Sequence, residues 1–388
     1  MALIYLDNSA TTKPSETALS TYLKVASEDF GNPSSLHAIG RSAEQYLTDA
    51  RKTILTTLGD RDGSVVFTAG GTEANNLAIF GRAEAKERFK GKRILTTAGE
   101  HASVGVPLRE LKKRGFEVVE IPTVGGRIDL EALGRAADRS VILATMMLVN
   151  NETGAIYDLA AVSRILKAAS PDAILHTDAT QAYLKMPIQA RTLGVSMLTV
   201  SSHKIEGPKG VGALWIDRAL TKTQGLSPFV FGGGQEGGLR SGTENVPGIA
   251  AFAAAAKEGH AELSSRLRRL SALSSFLSDK LSTDPRLKEL RLNRAERNAP
   301  HIFSITLPSI KSETMLHALS GRGIFVSSGS ACSSHGRHST PALAAYGLSE
   351  READSTIRVS ISHRTSESEL NALCDALADL LGSLVRTR

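Results

Sequence analysis

Leu198-Thr-Val-Ser-Ser-His-Lys204 is an apolar, β-branched run that ends in two serines, a histidine and a lysine. Ile205-Glu-Gly-Pro-Lys-Gly-Val-Gly212 follows as a Gly/Pro loop, and Ala213-Leu-Trp-Ile216 is a second apolar run. The pattern predicts a buried strand that delivers Lys204 to its carboxyl end, then a turn and a returning strand. An unpaired ammonium is expensive to bury. A lysine so placed is either a surface residue or one neutralised by condensation with an aldehyde, which makes lysine a covalent catalyst.

Upstream, strand and helix patterns alternate. Strands are expected at Val65–Thr68, Arg93–Thr97, Glu117–Ile121, Val141–Met147 and Ala173–His176, with helices at Glu73–Arg88, Val104–Arg114 and Ala160–Ala169. Such alternation predicts an α/β fold with a mixed, mostly parallel sheet covered on both faces. Ligands then bind beyond the carboxyl ends of the strands. Thr72, His101, Asn151, Asp178 and Lys204 each follow an expected strand by a few positions and should converge on that edge.

Downstream, a Gly-rich stretch (231–238) and Arg240-Ser-Gly-Thr243 lead into one long helical segment, Ile249–Leu281. The pattern then changes to strands at Ile302–Thr306, Ile324–Val326 and Ile357–Ile361, and a last helix opens on Ser366-Glu-Ser-Glu369, a capping-box spacing. Two domains are expected: a large one over 16–263, and a smaller α+β one over 1–15 and 264–388.

The 388 residues are 41% hydrophobic and 22% charged, with a net charge of +6. Those are the proportions of an ordinary globular protein. The charge fits an acidic partner without requiring one, and direct nucleic-acid binding is not expected. Two cysteines, Cys332 and Cys374, exclude a disulfide framework and a cysteine-based zinc site. The first residues lack a basic n-region and the longest apolar stretch is too short for a bilayer, so a cytoplasmic protein without membrane contact is expected.

Gly70-Gly71-Thr72 lies between a strand and a helix start, where backbone N–H groups, a hydroxyl and the helix dipole could meet a phosphate; a plain tight turn is the simpler reading. No Gly-Lys-Ser/Thr or G-x-G-x-x-G spacing is present there, which disfavours nucleotide loops. Asp178 could keep a ring nitrogen protonated, as pyridoxal phosphate requires, or simply cap a helix. In an extended chain, Ser201 and His203 share a face that Lys204 does not. His101 could stack on a planar ring or move protons, although loop histidines are more often just solvated. Cys332, in Val326-Ser-Ser-Gly-Ser-Ala-Cys-Ser-Ser-His335, is a candidate nucleophile among small polar residues, whereas Cys374 lies on the apolar face of the last helix. Arg358 could clamp a carboxylate or face solvent. The histidines lack metal-ligand spacing, so no metal is expected.

Taken together these motifs resemble the group I cysteine desulfurases, the NifS/IscS-like branch of the class V aminotransferase superfamily. The resemblance runs nearly end to end. It is most specific in Ser201-x-His-Lys-x-x-Gly-Pro-Lys-Gly210 and Ser327-Ser-Gly-Ser-Ala-Cys332. It implies a fold-type-I pyridoxal phosphate enzyme and a homodimer with active sites at the subunit interface. Lys204 would bond the cofactor aldehyde and later move a proton, Asp178 would pair with the ring nitrogen, Gln181 with the ring oxygen, and His101 would stack. Gly71, Thr72, Ser201, His203 and Thr243 (from the partner) would hold phosphate, while Asn151 and Arg358 would orient the substrate. The implied reaction converts L-cysteine to L-alanine with a persulfide on Cys332. That sulfur would pass to an acceptor protein of iron–sulfur cluster assembly, tRNA thiolation or DNA phosphorothioation. The chain stops soon after its last helix, where scaffold-binding members carry a further segment, so the last two destinations stand beside the first. The alternative is another reaction of the same cofactor, such as selenocysteine lysis or transamination.

Overall fold

The computed structural model describes residues 3–85, 91–223, 225–328 and 341–384. Its centre is a seven-stranded sheet: β1 (Ser64–Thr68), β2 (Arg93–Thr97), β3 (Glu117–Ile121), β4 (Val141–Thr145), β5 (Ile174–Asp178), β6 (Met197–Ser201) and β7 (Gly212–Ile216). The spatial order is β1-β7-β6-β5-β4-β2-β3. β7 runs antiparallel to both neighbours, and the remaining pairs are parallel, so the mixed, mostly parallel sheet is as expected.

Burial follows position in the sheet. Every residue of the interior strands β4, β6 and β7 is buried, and each reads as a continuous apolar run because helices cover both faces. The edge strand β3 exposes Glu117 and Glu120 instead. Trp215 and Phe252 are among the largest fully buried side chains. The Trp215 indole donates to Asp60 at 3.0 Å, which satisfies the polar end of the ring.

The strand edges expected from sequence lie within a few residues of those observed. Two elements differ. The long helix expected over 249–281 is two, Val246–Ala261 and Leu263–Thr283, meeting at Glu262 with no glycine or proline at the junction. There Arg266 is pulled toward Glu258, Glu262 and Glu206 by ion pairs that sequence periodicity cannot register. Ile324–Phe325 pairs in parallel with Ile4–Tyr5 instead of joining the second sheet.

That second sheet orders Arg291–Asn293, Ile302–Thr306, Thr356–Ser360 and Ser327–Ser328 side by side, all antiparallel. Its apolar core includes Leu6, Phe303, Leu373 and Cys374. Burial pushes the Cys374 thiol up to about 11, so it is an inert core residue, as expected. The last helix (Glu367–Ser383) opens with the capping box at Ser366 and Glu369. Cys332 lies outside the described residues.

Candidate active site

Three strand ends and one N-terminal strap build the site. β5 ends on Asp178, whose Oδ1 accepts from the Thr180 N–H (2.9 Å) and whose Oδ2 accepts from the Asn75 amide (2.8 Å). Asn75 also donates to Ser103 Oγ at 2.8 Å, and Ser103 Oγ lies 2.8 Å from His101 Nδ1. The Ser103 N–H donates to the same Nδ1 (3.2 Å). Nδ1 is therefore an acceptor, and the neutral imidazole carries its proton on Nε2. Burial lowers the His101 pKa, which favours this neutral form, while Asp178 opposes the shift. Beneath Asp178, His176 is clamped between the Thr145 and Thr199 hydroxyls (2.8 and 3.0 Å) and burial holds its pKa near 4.

β6 ends on Ser201, and Ser202–Lys204 is a single 3-10 turn. The extended alternation expected through Lys204 thus gives way three residues early, after Ser201. Ser201 and His203 still share one cleft and Lys204 lines another cavity, but a turn rather than a pleat parts them. Lys204 Nζ donates to the carbonyls of Ser9 (2.5 Å) and Ala10 (2.6 Å). The Gln181 amide donates to the same Ser9 carbonyl (2.9 Å). His203 Nδ1 meets Thr11 Oγ1 at 3.2 Å, and burial with the nearby lysines lowers its pKa to about 4.

The cleft has a volume of about 640 Å³, in the range of small-molecule sites. Gly70, Gly71, Thr72, Ser201 and His203 line it at the start of the helix Gly71–Ala83. Gly70 has φ 151°, and a side chain on Gly212 would strike its carbonyl carbon at 2.6 Å. Both glycines let β7 press against the turn so that the helix N–H groups face the cleft. Ser201 Oγ is buried and makes no hydrogen bond among the described residues.

Arg358, in Thr356–Ser360, donates from Nη2 to Asp7 (2.9 Å) and from Nη1 to the Asn151 carbonyl (3.0 Å). Its buried Nε makes no hydrogen bond among the described residues. Asn151 thus meets Arg358 through its backbone. Thr243 is exposed and does not line this chain's cleft. The structure adds residues to which the sequence reading gave no role: Asn75, Ser103 and the strap Asp7–Thr12. Asn75 had a signal, since it follows Gly71 by four positions and so projects from the first turn of the helix.

A family model described as aminotransferase class-V matches residues 4–373. The chain belongs to the class-V aminotransferase family. A protein named cysteine desulfurase IscS 1 from Archaeoglobus fulgidus is 36% identical over 382 residues, covering 98% of this chain and 97% of that protein. A solved structure titled NifS-like protein superimposes with a TM-score of 0.90 at 32% identity, over 99% of this chain and all of that one. Another, titled SspA in complex with cysteine, gives 0.81 at 29% identity over 94% of this chain and all of that one.

Members of this family are pyridoxal phosphate enzymes, and so is this chain. The local chemistry suits that group. A helix start beside a buried hydroxyl with no hydrogen bond among the described residues offers a phosphate cradle, a carboxylate ends β5, and an amine follows β6. No described helix is long and apolar enough to cross a membrane.

Proposed function

We propose that this chain is a cysteine desulfurase that removes the sulfur of L-cysteine as a Cys332 persulfide, leaves L-alanine, and passes the sulfur to an acceptor protein. Lys204, Asp178 and the cradle at Gly71 and Thr72 converge on one sheet edge of a chain 36% identical to a named cysteine desulfurase, and that convergence carries the reading. A relative solved with cysteine supports the substrate class.

The bound cofactor supplies an electron sink that acidifies the substrate α-carbon. Lys204 would hold it through its amine and would then take the substrate α-proton. Asp178, fixed by Asn75 and Thr180, would keep its ring nitrogen protonated, and Gln181 would donate to its ring oxygen. Gly71, Thr72, Ser201 and His203 would hold its phosphate, with Thr243 of a second copy. His101, with its proton on Nε2, would pack against the group and could donate there. Arg358 and Asn151 orient the substrate carboxylate, for which the fork retains unused donors. The Cys332 thiolate attacks the substrate sulfur: an S–S bond forms, the C–S bond breaks, and its electron pair stays on carbon to be protonated to alanine.

The division into 16–263 and 1–15 with 264–388 belongs to the same proposal, supported by the separate apolar core around the second sheet. So does a homodimer, supported by exposed Phe231 (81%) and Leu36 (90%), with Phe231 two residues beyond the cleft-lining Phe229.

The test is Cys332→Ala. Sulfide release from L-cysteine under reductant should fall at least ~100-fold while the bound cofactor's visible spectrum is retained. Release at the wild-type rate would rule out the persulfide route.

A further inference from the structure

Lys185 is a half-buried charge to which the mechanism gives no task. Among the described residues its ammonium makes one hydrogen bond, a long one to Gln181 Oε1 at 3.5 Å. It lines a cavity of about 40 Å³ behind Lys204, room for little more than water. Lys204, Glu206, Arg266, His301 and His363 face it from the surrounding elements.

Only Glu206 offsets it, and in part. Glu206 is already held by Arg266 (3.3 Å) and Arg364 (2.8 Å). His301 is fully buried, makes no ring hydrogen bond among the described residues, and burial keeps it neutral. Burial, then Lys204 and Arg358, lower the Lys185 pKa, and Glu206 works against them. Leu184 (φ 54°) and Glu206 (φ 67°) both border the cavity in the left-handed region, where non-glycine residues are strained. Strain of this kind persists where surrounding structure imposes it, and it clusters at working sites.

We infer that Lys185 is a positioning residue for the cofactor site, fixing the Gln181 amide and lowering the proton affinity of the nitrogen at Lys204. An ammonium only donates, so Gln181 must turn Oε1 toward Lys185 and its NH2 toward Ser9 and the site. The same positive charge, across this small cavity from Lys204, disfavours protonation of the nitrogen there. The inference rests on Lys204 carrying the cofactor.

The experiment titrates the visible band of the holoenzyme from roughly pH 5 to 10, for wild type and for Lys185→Met, Lys185→Gln and Lys185→Arg. The midpoint should rise by about one unit, a tenfold change, in the Met and Gln variants and stay near wild type in Lys185→Arg. Met buries no charge and nearly matches lysine in shape, so that variant should fold, and Gln gives a second neutral side chain. An unchanged midpoint in both neutral variants, or an Arg variant that behaves like them, would overturn the inference. A wild type with no visible band would instead refute the underlying assignment of Lys204.

Discussion

Glu100 sits next to His101 and makes a clear case for chemistry set by burial. Its carboxyl accepts from Thr97 Oγ1 (2.7 Å) and the Met147 N–H (2.9 Å), yet burial raises its pKa to about 8. The folded value lies above the unfolded one of about 4.5, so its stabilising contribution is full below pH 4.5 and lost as pH rises through 8. Glu100→Gln should flatten the fall of chemical-denaturation stability between these limits, with a difference on the order of a few kcal/mol at the alkaline end. Asp178→Asn is nearly isosteric and removes the charge, while its single amide oxygen keeps one of the two hydrogen bonds from Asn75 and Thr180. Desulfuration should fall about 100-fold or more with cofactor still bound, checked by alanine production beside the absorption spectrum. Asp178 and Lys204 were legible as residues because each follows an apolar strand by position. Asn75 and Ser103 were not, because their meaning lies in contacts 28 and 103 positions apart; Lys185 was not, because its setting is a cavity shared with Lys204 and other distant residues.

At the scale of elements, the cradle depends on how closely β7 approaches the turn before Gly71–Ala83. Gly212→Ala would drive a methyl into the Gly70 backbone. It should cost about 1–3 kcal/mol in stability and weaken cofactor binding by displacing the helix start, measured by thermal melts and by cofactor titration. The strand-and-helix alternation was readable because its periods are local. The break at Glu262 was not, since Arg266 is turned by carboxylates on other segments. Nothing in Asp7–Thr12 alone says that its carbonyls would receive the Lys204 amine.

For the whole molecule, the proposed second copy would cover the exposed Phe231 and complete the phosphate site. Phe231→Asp should shift sedimentation from twice 41.2 kDa toward the single chain, with loss of cofactor occupancy in step. Arg358 ties the second sheet to Asn151 and Asp7, so one side chain joins both parts of the chain and the strap. The central claim is that the amine at the end of β6 carries the catalysis. The most direct measurement is alanine formed from L-cysteine by wild type and by Lys204→Ala, each supplied with excess pyridoxal phosphate. The account predicts steady turnover by wild type and none above the free cofactor by the variant; wild-type turnover without that amine would contradict it.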